Sequence, residues 1–302
     1  MNKELIDKVL ELGIEDVLLS EEMKNHTTFK IGGPADILIK PKNEEEVRKV
    51  LEICKNEQIP YFVKGNGSNI LVRDKGIRGI VIEFSEKFSD VKIDDNRVTA
   101  QSGALLSTVS KKSFQESLAG MEAVSGIPAS VGGAMAMNAG AYGTEMKDIV
   151  ESVRLMDSNG QIHEYSNEEM HFRYRASRVG DDKLVVLSAT FKLNKDNYDD
   201  IMARFEDYDF RRKDKQPLSD NSAGSTFKRP EGHYASALID QAGLRGFTHG
   251  RAKVSDKHCG FLINIDNSTC ENLLELVKKV QDSVNEKYGV NLEMEVKIIG
   301  EE

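Results

Sequence analysis

The chain has 302 residues, of which 39% are hydrophobic and 30% charged, and its formal net charge is −9. This composition is typical of a globular protein large enough for two or three lobes, and the negative charge argues against non-specific binding to nucleic acids or anionic membranes. The cysteines Cys54, Cys259 and Cys270 form no C-x-x-C pair. They predict neither a disulfide framework nor a zinc site, and they favour a reducing cytoplasm.

The N-terminal part of the chain predicts a β-α-β unit. Residues 3–18 have the apolar spacing of an amphipathic helix. A strand is expected at Ile37–Ile39, and Asn43 with Glu46 forms a capping pair that opens a helix through about Asn56. A buried strand at 60–63 follows.

A glycine-rich turn, Gly65-Asn-Gly-Ser-Asn69, follows that strand. It is not a Rossmann fingerprint, because Ile70 stands where the third glycine belongs and Ile70–Val72 predicts another extended segment instead of a helix. The successive N–H groups of such a turn can bind a pyrophosphate of a non-Rossmann kind. The alternative is a β-turn that is simply rich in turn-forming residues.

The segment from Ser125 to Gly143 has five glycines, five alanines and no charged side chain. It follows short strands within 79–101 and a helix at about 105–116. Small side chains leave the backbone open to close approach, so the segment predicts a surface for a large, flat cofactor. The alternative is a glycine-rich loop packed tightly against another element.

Beyond this segment, a hairpin over 149–165 and a strand over 184–193 complete an α+β lobe with two β-rich halves. Between them, Arg173 and Arg175 flank Tyr174; in a strand these arginines share one face. They are candidate anion contacts, although a solvated or ion-paired face would give the same pattern.

The last hundred residues predict a second α+β lobe, with helices at 198–213, 234–242 and 269–288. Ser225 lies in a Gly/Ser/Asn loop that is no nucleophile elbow, so it is either a hydrogen-bond or proton donor or a capping residue. In the final strand, 292–298, alternation places Glu295 on the polar face, which by pattern alone indicates a half-exposed strand.

The ordered set of these motifs resembles the UDP-N-acetylenolpyruvoylglucosamine reductase family over nearly the whole chain. The resemblance is carried by segments 25–36, 65–72, 125–143, 174–175, 224–228 and 292–296. It implies an FAD-binding domain of the vanillyl-alcohol-oxidase (PCMH) type over 1–193, with subdomains of roughly 1–80 and 81–193. A substrate-binding α+β domain would follow over 194–302.

The resemblance also implies non-covalent FAD and NADPH as the hydride donor. No metal is expected, because neither the cysteines nor the six histidines have the spacing of metal ligands. The pyrophosphate of FAD would be held by Gly65, Asn66, Gly67, Ser68 and Asn69. The flavin would be lined by Ser125, Gly126, Ile127, Pro128, Gly132, Gly133, Asn138, Ala139 and Gly140.

In this family NADPH reduces FAD, and the reduced flavin then transfers hydride to the enolpyruvyl ether of UDP-GlcNAc, giving UDP-N-acetylmuramate for peptidoglycan synthesis. By resemblance, Arg175 stabilises the charge that builds on the carboxylate, Ser225 donates the proton, and Glu295 assists as an acid. The acids would meet the flavin in a cleft between the lobes.

Expected substrate contacts, by the same resemblance, are Lys215, Lys228, Arg229, Lys257 and His258; Arg229 departs from an asparagine common in the family. The short run from 178 to 184 indicates the class without the tyrosine-bearing substrate loop. We expect a cytoplasmic enzyme of small-molecule substrates, without nucleic acid, membrane insertion or an obligate protein partner. A non-catalytic flavin- or nucleotide-binding module and an FAD-linked oxidase are the alternatives.

Overall fold

The structure, a computed structural model, describes residues 3–302 and is an α+β fold built from several small sheets. Its α-helices are α1 (Lys3–Leu10), α2 (Glu44–Asn56), α3 (Leu106–Gln115), α4 (Val131–Met137), α5 (Met146–Ile149), α6 (Arg178–Asp181), α7 (Tyr198–Lys215), α8 (Ala235–Gln241) and α9 (Cys270–Tyr288). Met23–His26 and Glu86–Phe88 form 3-10 helices.

The strands are short and are spread along the whole described chain. They are β1 (Val17–Glu22), β2 (Pro34–Ile39), β3 (Tyr61–Lys64), β4 (Ile70–Val72), β5 (Ile77–Glu83), β6 (Val91–Asp94), β7 (Arg97–Gln101), β8 (Leu118–Ala119), β9 (Gly140–Ala141), β10 (Thr144–Glu145), β11 (Val150–Met156), β12 (Ile162–Ser166), β13 (Val185–Lys192), β14 (Asn194–Lys195), β15 (Thr248–His249), β16 (Ala252–Val254), β17 (Leu262–Asn264) and β18 (Lys297–Ile299).

The described chain forms two compact units that are discontinuous in sequence. Unit 1 consists of the described residues up to Leu19, Ile37–Asn66 and Gly79–Arg212. Unit 2 consists of Ser20–Asp36, Gly67–Arg78 and Lys213–Glu302. Early segments belong to unit 2 because they supply the buried Phe29, Ile31 and Leu71 to its core. The division into functional domains at 193/194 stays a prediction.

Unit 1 contains a five-stranded antiparallel sheet of order β12-β11-β13-β7-β6. Helices α3 and α4 bury their apolar side chains with this sheet, including Leu106, Val131 and Met135. A second buried cluster surrounds α2, whose predicted N-cap is confirmed: Asn43 Oδ1 accepts from Glu46 N at 2.9 Å. The core therefore anchors α4, in the middle of the uncharged segment, against the sheet.

Unit 2 combines the antiparallel sheet β15-β16-β17 with α8 and α9. Thr269 caps α9, and Gly289 ends it in the left-handed conformation that glycine adopts without strain. Parallel pairing joins β18 to β4, so the end of the chain is bonded to the segment that follows the first glycine-rich turn.

Two predicted elements differ in extent from those observed. The helix expected over 3–18 ends at Leu10, and β1 begins at Val17. The final strand, expected over 292–298, is confined to Lys297–Ile299, and Ile298 is 37% exposed. Both differences reflect strand pairings with distant segments, which local alternation does not encode.

Candidate active site

In unit 1, the uncharged segment forms a loop, the short helix α4 and a left-handed end at Asn138. Ser130 caps α4, and its Oγ accepts from Gly133 N at 3.5 Å. Ser125, Gly132 and Asn138 are buried, whereas the other predicted flavin-lining residues are partly or fully exposed. These are Gly126, Ile127, Pro128, Gly133, Ala139 and Gly140. Apart from the Arg212 side chain, which lies against Gly126, the segment thus presents partly accessible, uncharged backbone, which fits an uncharged flavin ring system.

Unit 1 brings the start of the first glycine-rich turn against this segment. Asn66 Nδ2 donates to the carbonyl oxygen of Pro128 at 2.7 Å. A Cβ on Gly65 would lie 1.8 Å from Ser130 Oγ, so only glycine allows this approach. A Cβ on Gly133, by contrast, would meet nothing closer than Ser130 Oγ at 3.7 Å. Packing therefore explains Gly65, while Gly133 leaves room for a ligand.

The remaining residues of the same turn belong to unit 2. Gly67 has a φ of 68° and accepts a hydrogen bond from Thr28 N, and Ser68 is half-buried. Asn69 Nδ2 donates to the carbonyl oxygen of Glu295 at 3.3 Å. The motif predicted to bind a pyrophosphate thus also holds the backbone of a predicted catalytic residue, a contact that local sequence gives no sign of.

Arg175 lies at the tip of a tight turn in unit 1. Arg173 and Ala176 exchange backbone hydrogen bonds of 3.0 and 3.1 Å. Arg175 has a φ of 56°, and its Cζ lies 5.0 Å from the ring centroid of Tyr174. A left-handed backbone at a non-glycine residue costs on the order of 1–3 kcal/mol and is concentrated at functional sites.

The expectation that Arg173 and Arg175 share a strand face is wrong. The turn reverses the chain, so the two-residue periodicity of a strand does not apply between them. Arg173 instead pairs with Asp181 through both guanidinium Nη atoms, at 2.7 and 2.6 Å. Arg173 is therefore occupied by a carboxylate of the chain itself.

Unit 2 places Ser225 and Glu295 on adjacent extended segments. Glu295 N donates to the carbonyl oxygen of Thr226, the residue after Ser225, at 2.8 Å. Thr226 is fully buried, and its Oγ1 accepts from Leu262 N at 3.2 Å. Lys228 N donates to the carbonyl oxygen of Glu293 at 2.8 Å, so the segments run side by side. Ser225 itself is exposed.

The predicted substrate contacts all lie in unit 2, and several already have partners there. Lys228 pairs with Glu293, and Lys257 Nζ donates to the carbonyl oxygen of Lys213. Arg229 stacks on the ring of Tyr234 at 4.1 Å, and Lys215 is exposed at the end of α7. These contacts hold the cationic groups in place, and their role toward a substrate stays a prediction.

His258 is half-buried and has a fixed tautomer. Its Nδ1 accepts from Gly260 N at 3.1 Å, so the ring proton of the neutral form is on Nε2. Burial lowers the pKa of His258 below its ordinary value of 6.5, and the positive charge of Arg245 lowers this pKa further. The side chain is therefore a neutral hydrogen-bond donor at neutral pH.

Glu122 and Arg204, which were not among the predicted site residues, hold the start of the uncharged segment in place. Ser125 Oγ donates to the carbonyl oxygen of Glu122 at 2.7 Å. The buried Glu122 carboxylate accepts from Nε and Nη2 of Arg204 on α7, at 2.9 and 2.8 Å. Local sequence does not reveal this contact, because Glu122 and Arg204 lie 82 positions apart.

Two absences apply to residues 3–302. No group of three or more His, Cys, Asp or Glu side chains there is arranged to hold a metal ion. None of the helices in this part of the chain combines the length and apolar character needed to cross a bilayer.

Two family models match the chain. The FAD binding domain matches residues 35–166, and the UDP-N-acetylenolpyruvoylglucosamine reductase C-terminal domain matches residues 216–299. Both matches agree with the predicted α+β architecture, in which an FAD-binding domain precedes a second domain.

Similar proteins include curated UDP-N-acetylenolpyruvoylglucosamine reductases. The protein of Clostridioides difficile (strain 630) is 52% identical over 96% of each chain. That of Clostridium novyi (strain NT) is 49% identical over 98% of this chain and 97% of its own. These similarities extend over nearly the full length of both chains, so they include both matched domains.

Solved structures give the same result at the level of the fold. The reductase from Thermus caldophilus superposes with a TM-score of 0.81 at 35% identity, over 94% of this chain and 98% of its own. The glucose dehydrogenase Phl p 4.0202 shares the fold alone, with a TM-score of 0.50 at 14% identity over 65% of this chain and 45% of its own. The predicted resemblance is confirmed: the chain belongs to the UDP-N-acetylenolpyruvoylglucosamine reductase family.

Proposed function

We propose that the protein is an NADPH-dependent FAD enzyme of the cytoplasm that reduces enolpyruvyl-UDP-GlcNAc to UDP-N-acetylmuramate for peptidoglycan synthesis. The observation that carries this proposal is the full-length similarity to proteins named for that reductase. The substrates are small molecules, and the protein acts without nucleic acid, membrane insertion or an obligate protein partner.

Unit 1 would hold FAD through the accessible backbone of Gly126, Ile127 and Gly133 and through the turn that starts at Gly65 and Asn66. When bound, FAD would supply the hydride chemistry that connects NADPH with the terminal alkene carbon of the enolpyruvyl group. Every other chemical task falls to side chains of the chain.

Arg175 would stabilise the negative charge that develops on the substrate carboxylate. A guanidinium is suited to this role because its charge is permanent and its planar fork matches two oxygen atoms. The turn between Arg173 and Ala176 supports the assignment, since its two backbone hydrogen bonds fix the main chain from which the Arg175 side chain extends.

Ser225 would donate a proton to the carbon that bears the carboxylate, and Glu295 would assist this transfer as an acid. Their attachment to adjacent segments through Thr226 supports a joint role, because the hydrogen bond from Glu295 N fixes the spacing of the two main chains. The diphosphate of the substrate would meet Lys215, Lys228, Arg229, Lys257 and His258.

Absorbance of the flavin in anaerobic half-reactions tests the proposal. NADPH should bleach the yellow flavin of the purified protein, and enolpyruvyl-UDP-GlcNAc should restore the colour with formation of UDP-N-acetylmuramate. A colourless protein that takes up no FAD would contradict the proposal. Bound FAD without reoxidation by this substrate would indicate a binding module, and oxygen consumption with other substrates would indicate an oxidase.

A further inference from the structure

The side chain of Asn138 is bonded entirely within unit 1. Asn138 is fully buried, and its Oδ1 accepts from Lys147 N at 3.0 Å. Its Nδ2 donates to Glu145 Oε2 at 2.9 Å and to the carbonyl oxygen of Arg173 at 3.3 Å. An amide nitrogen carries only two N–H bonds, so both donors are used. The side chain therefore has no donor left for a cofactor.

The two groups that accept hydrogen bonds from Asn138 Nδ2 both lie close to Arg175. The carbonyl oxygen of Arg173 belongs to one of the two residues that close the Arg175 turn. Glu145 pairs with Lys147 at 2.8 Å. The hydrogen bonds from Lys147 and Asn138, together with the nearby charge of Arg175, lower the pKa of the Glu145 carboxyl group. Glu145 is thus an anion that faces cations from its own segment and from the turn.

The local backbone is shaped for these contacts. A Cβ on Gly140 would lie 2.7 Å from Glu145 Cγ, so glycine allows Glu145 to come close to the end of α4. Asn138 ends α4 with a φ of 41°, a left-handed conformation that asparagine adopts more easily than most residues.

We propose that Asn138 is a positioning residue that holds the Arg175 turn through the carbonyl oxygen of Arg173 and the carboxylate of Glu145. This inference rests on the proposed function, in which Arg175 meets the substrate carboxylate. It gives Asn138 a role different from the direct flavin contact expected by resemblance. The end of the flavin-lining segment would thus fix the orientation of the catalytic arginine.

Asn138→Gly is the sharpest variant, because glycine accepts the left-handed backbone while all three side-chain hydrogen bonds are lost. The matched control is Gln58→Gly, which changes an exposed residue of unit 1 with a φ of 55°. We expect Asn138→Gly to keep its FAD and its rate of flavin reduction by NADPH. Flavin reoxidation by enolpyruvyl-UDP-GlcNAc should slow by about 10- to 100-fold, since a misplaced catalytic group loses rate on that scale.

Hydrogen exchange of the peptide that contains Arg173 and Ala176 gives a readout independent of catalysis. The backbone amide hydrogens of Arg173 and Ala176, which form the two hydrogen bonds of the turn, should exchange faster in Asn138→Gly and at the wild-type rate in Gln58→Gly. Unchanged exchange in Asn138→Gly would overturn the proposal. An equal loss of both half-reactions, or loss of FAD, would also overturn it, because either result would indicate an action on the cofactor.

A double-mutant cycle with Arg175→Ala separates this inference from the proposed function. If Asn138 acts through Arg175, Asn138→Gly should add less than about twofold to the loss already caused by Arg175→Ala. Fully additive losses would overturn the positioning role. If Arg175→Ala leaves flavin reoxidation unchanged, the proposed role of Arg175 fails, and the exchange data still decide whether Asn138 holds the turn.

Discussion

The backbone N–H of Glu295 donates to the carbonyl oxygen of Thr226 at 2.8 Å, and this bond ties the segment of one proposed acid to that of the other. Thr226 is buried and follows Ser225 directly. The spacing of the two main chains therefore depends on a backbone hydrogen bond inside unit 2.

Ser225→Ala should separate the two half-reactions. We expect flavin reduction by NADPH to stay close to wild type, because no proton from Ser225 is needed there. Reoxidation by enolpyruvyl-UDP-GlcNAc should fall by about 10²- to 10⁴-fold, the usual contribution of a general acid. Anaerobic stopped-flow absorbance measures both rates, with Ser222→Ala as a control in the same loop. Equal losses in both half-reactions would refute the role given to Ser225.

Two asparagines of one turn should respond differently to substitution. Asn66 donates to Pro128 in the flavin-lining segment, and Asn69 donates to the backbone of Glu295. We expect Asn66→Ala to weaken FAD retention, and Asn69→Ala to slow flavin reoxidation more than flavin reduction. Each lost hydrogen bond is worth about 0.5–1.5 kcal/mol, or up to roughly tenfold. Equilibrium dialysis of FAD and the half-reaction rates test this difference, and identical effects of both variants would contradict it.

The Lys228–Glu293 ion pair gives a test of substrate binding. Lys228→Ala should raise the KM for enolpyruvyl-UDP-GlcNAc, because a cation expected to meet the diphosphate is lost. Glu293→Gln should lower this KM by about two- to fivefold, since an exposed pair is worth about 0.2–1 kcal/mol and its loss frees Lys228. Steady-state kinetics at two salt concentrations measure both effects. A raised KM in Glu293→Gln would show that the intact pair is what substrate binding requires.

His258 should make the stability of the protein depend on pH. Burial lowers the pKa of His258 in the folded state below the ordinary value of 6.5. As the pH falls through 6.5, the unfolded state therefore binds a proton before the folded state does, and the free energy of unfolding of the wild type decreases. His258→Gln lacks this loss, although it also loses the bond from Gly260 N. Urea unfolding at about pH 7.5 and about pH 5.5 should show that the free energy of unfolding of the wild type exceeds that of His258→Gln by less at the lower pH. An advantage that grows on acidification would contradict the sign of this shift.

Local signals in the sequence predicted much of the fold. The Asn43 cap, the helix of α2 and the extended segment Ile70–Val72 depend on residues within a few positions of one another. The rejection of a Rossmann motif rested on a missing glycine at Ile70 and agrees with the matched FAD binding domain. Such features depend on neighbouring residues in the sequence, so a single sequence is enough to predict them.

The side-chain partners within the site could not be predicted in this way. The turn at Arg175 contains none of the Gly, Asn or Asp residues that favour a left-handed position, and it is held by Asn138 and by the pairing of Arg173 with Ala176. Motif residues can be named by resemblance, but their bonds to each other depend on the folded chain. The roles of the site residues accordingly stay predictions.

The parallel pairing of β18 with β4 has a consequence for synthesis of the protein. Asn69 and Glu295 lie 226 positions apart, so unit 2 cannot complete its fold until the ribosome has synthesised almost the entire chain. Until then Phe29, Ile31 and Leu71 lack their core partners from α8 and α9. Exposed apolar segments of this kind are sites of misfolding and chaperone binding. Premature termination before Ala235, where α8 begins, would therefore release a chain whose early apolar segments lack these core partners.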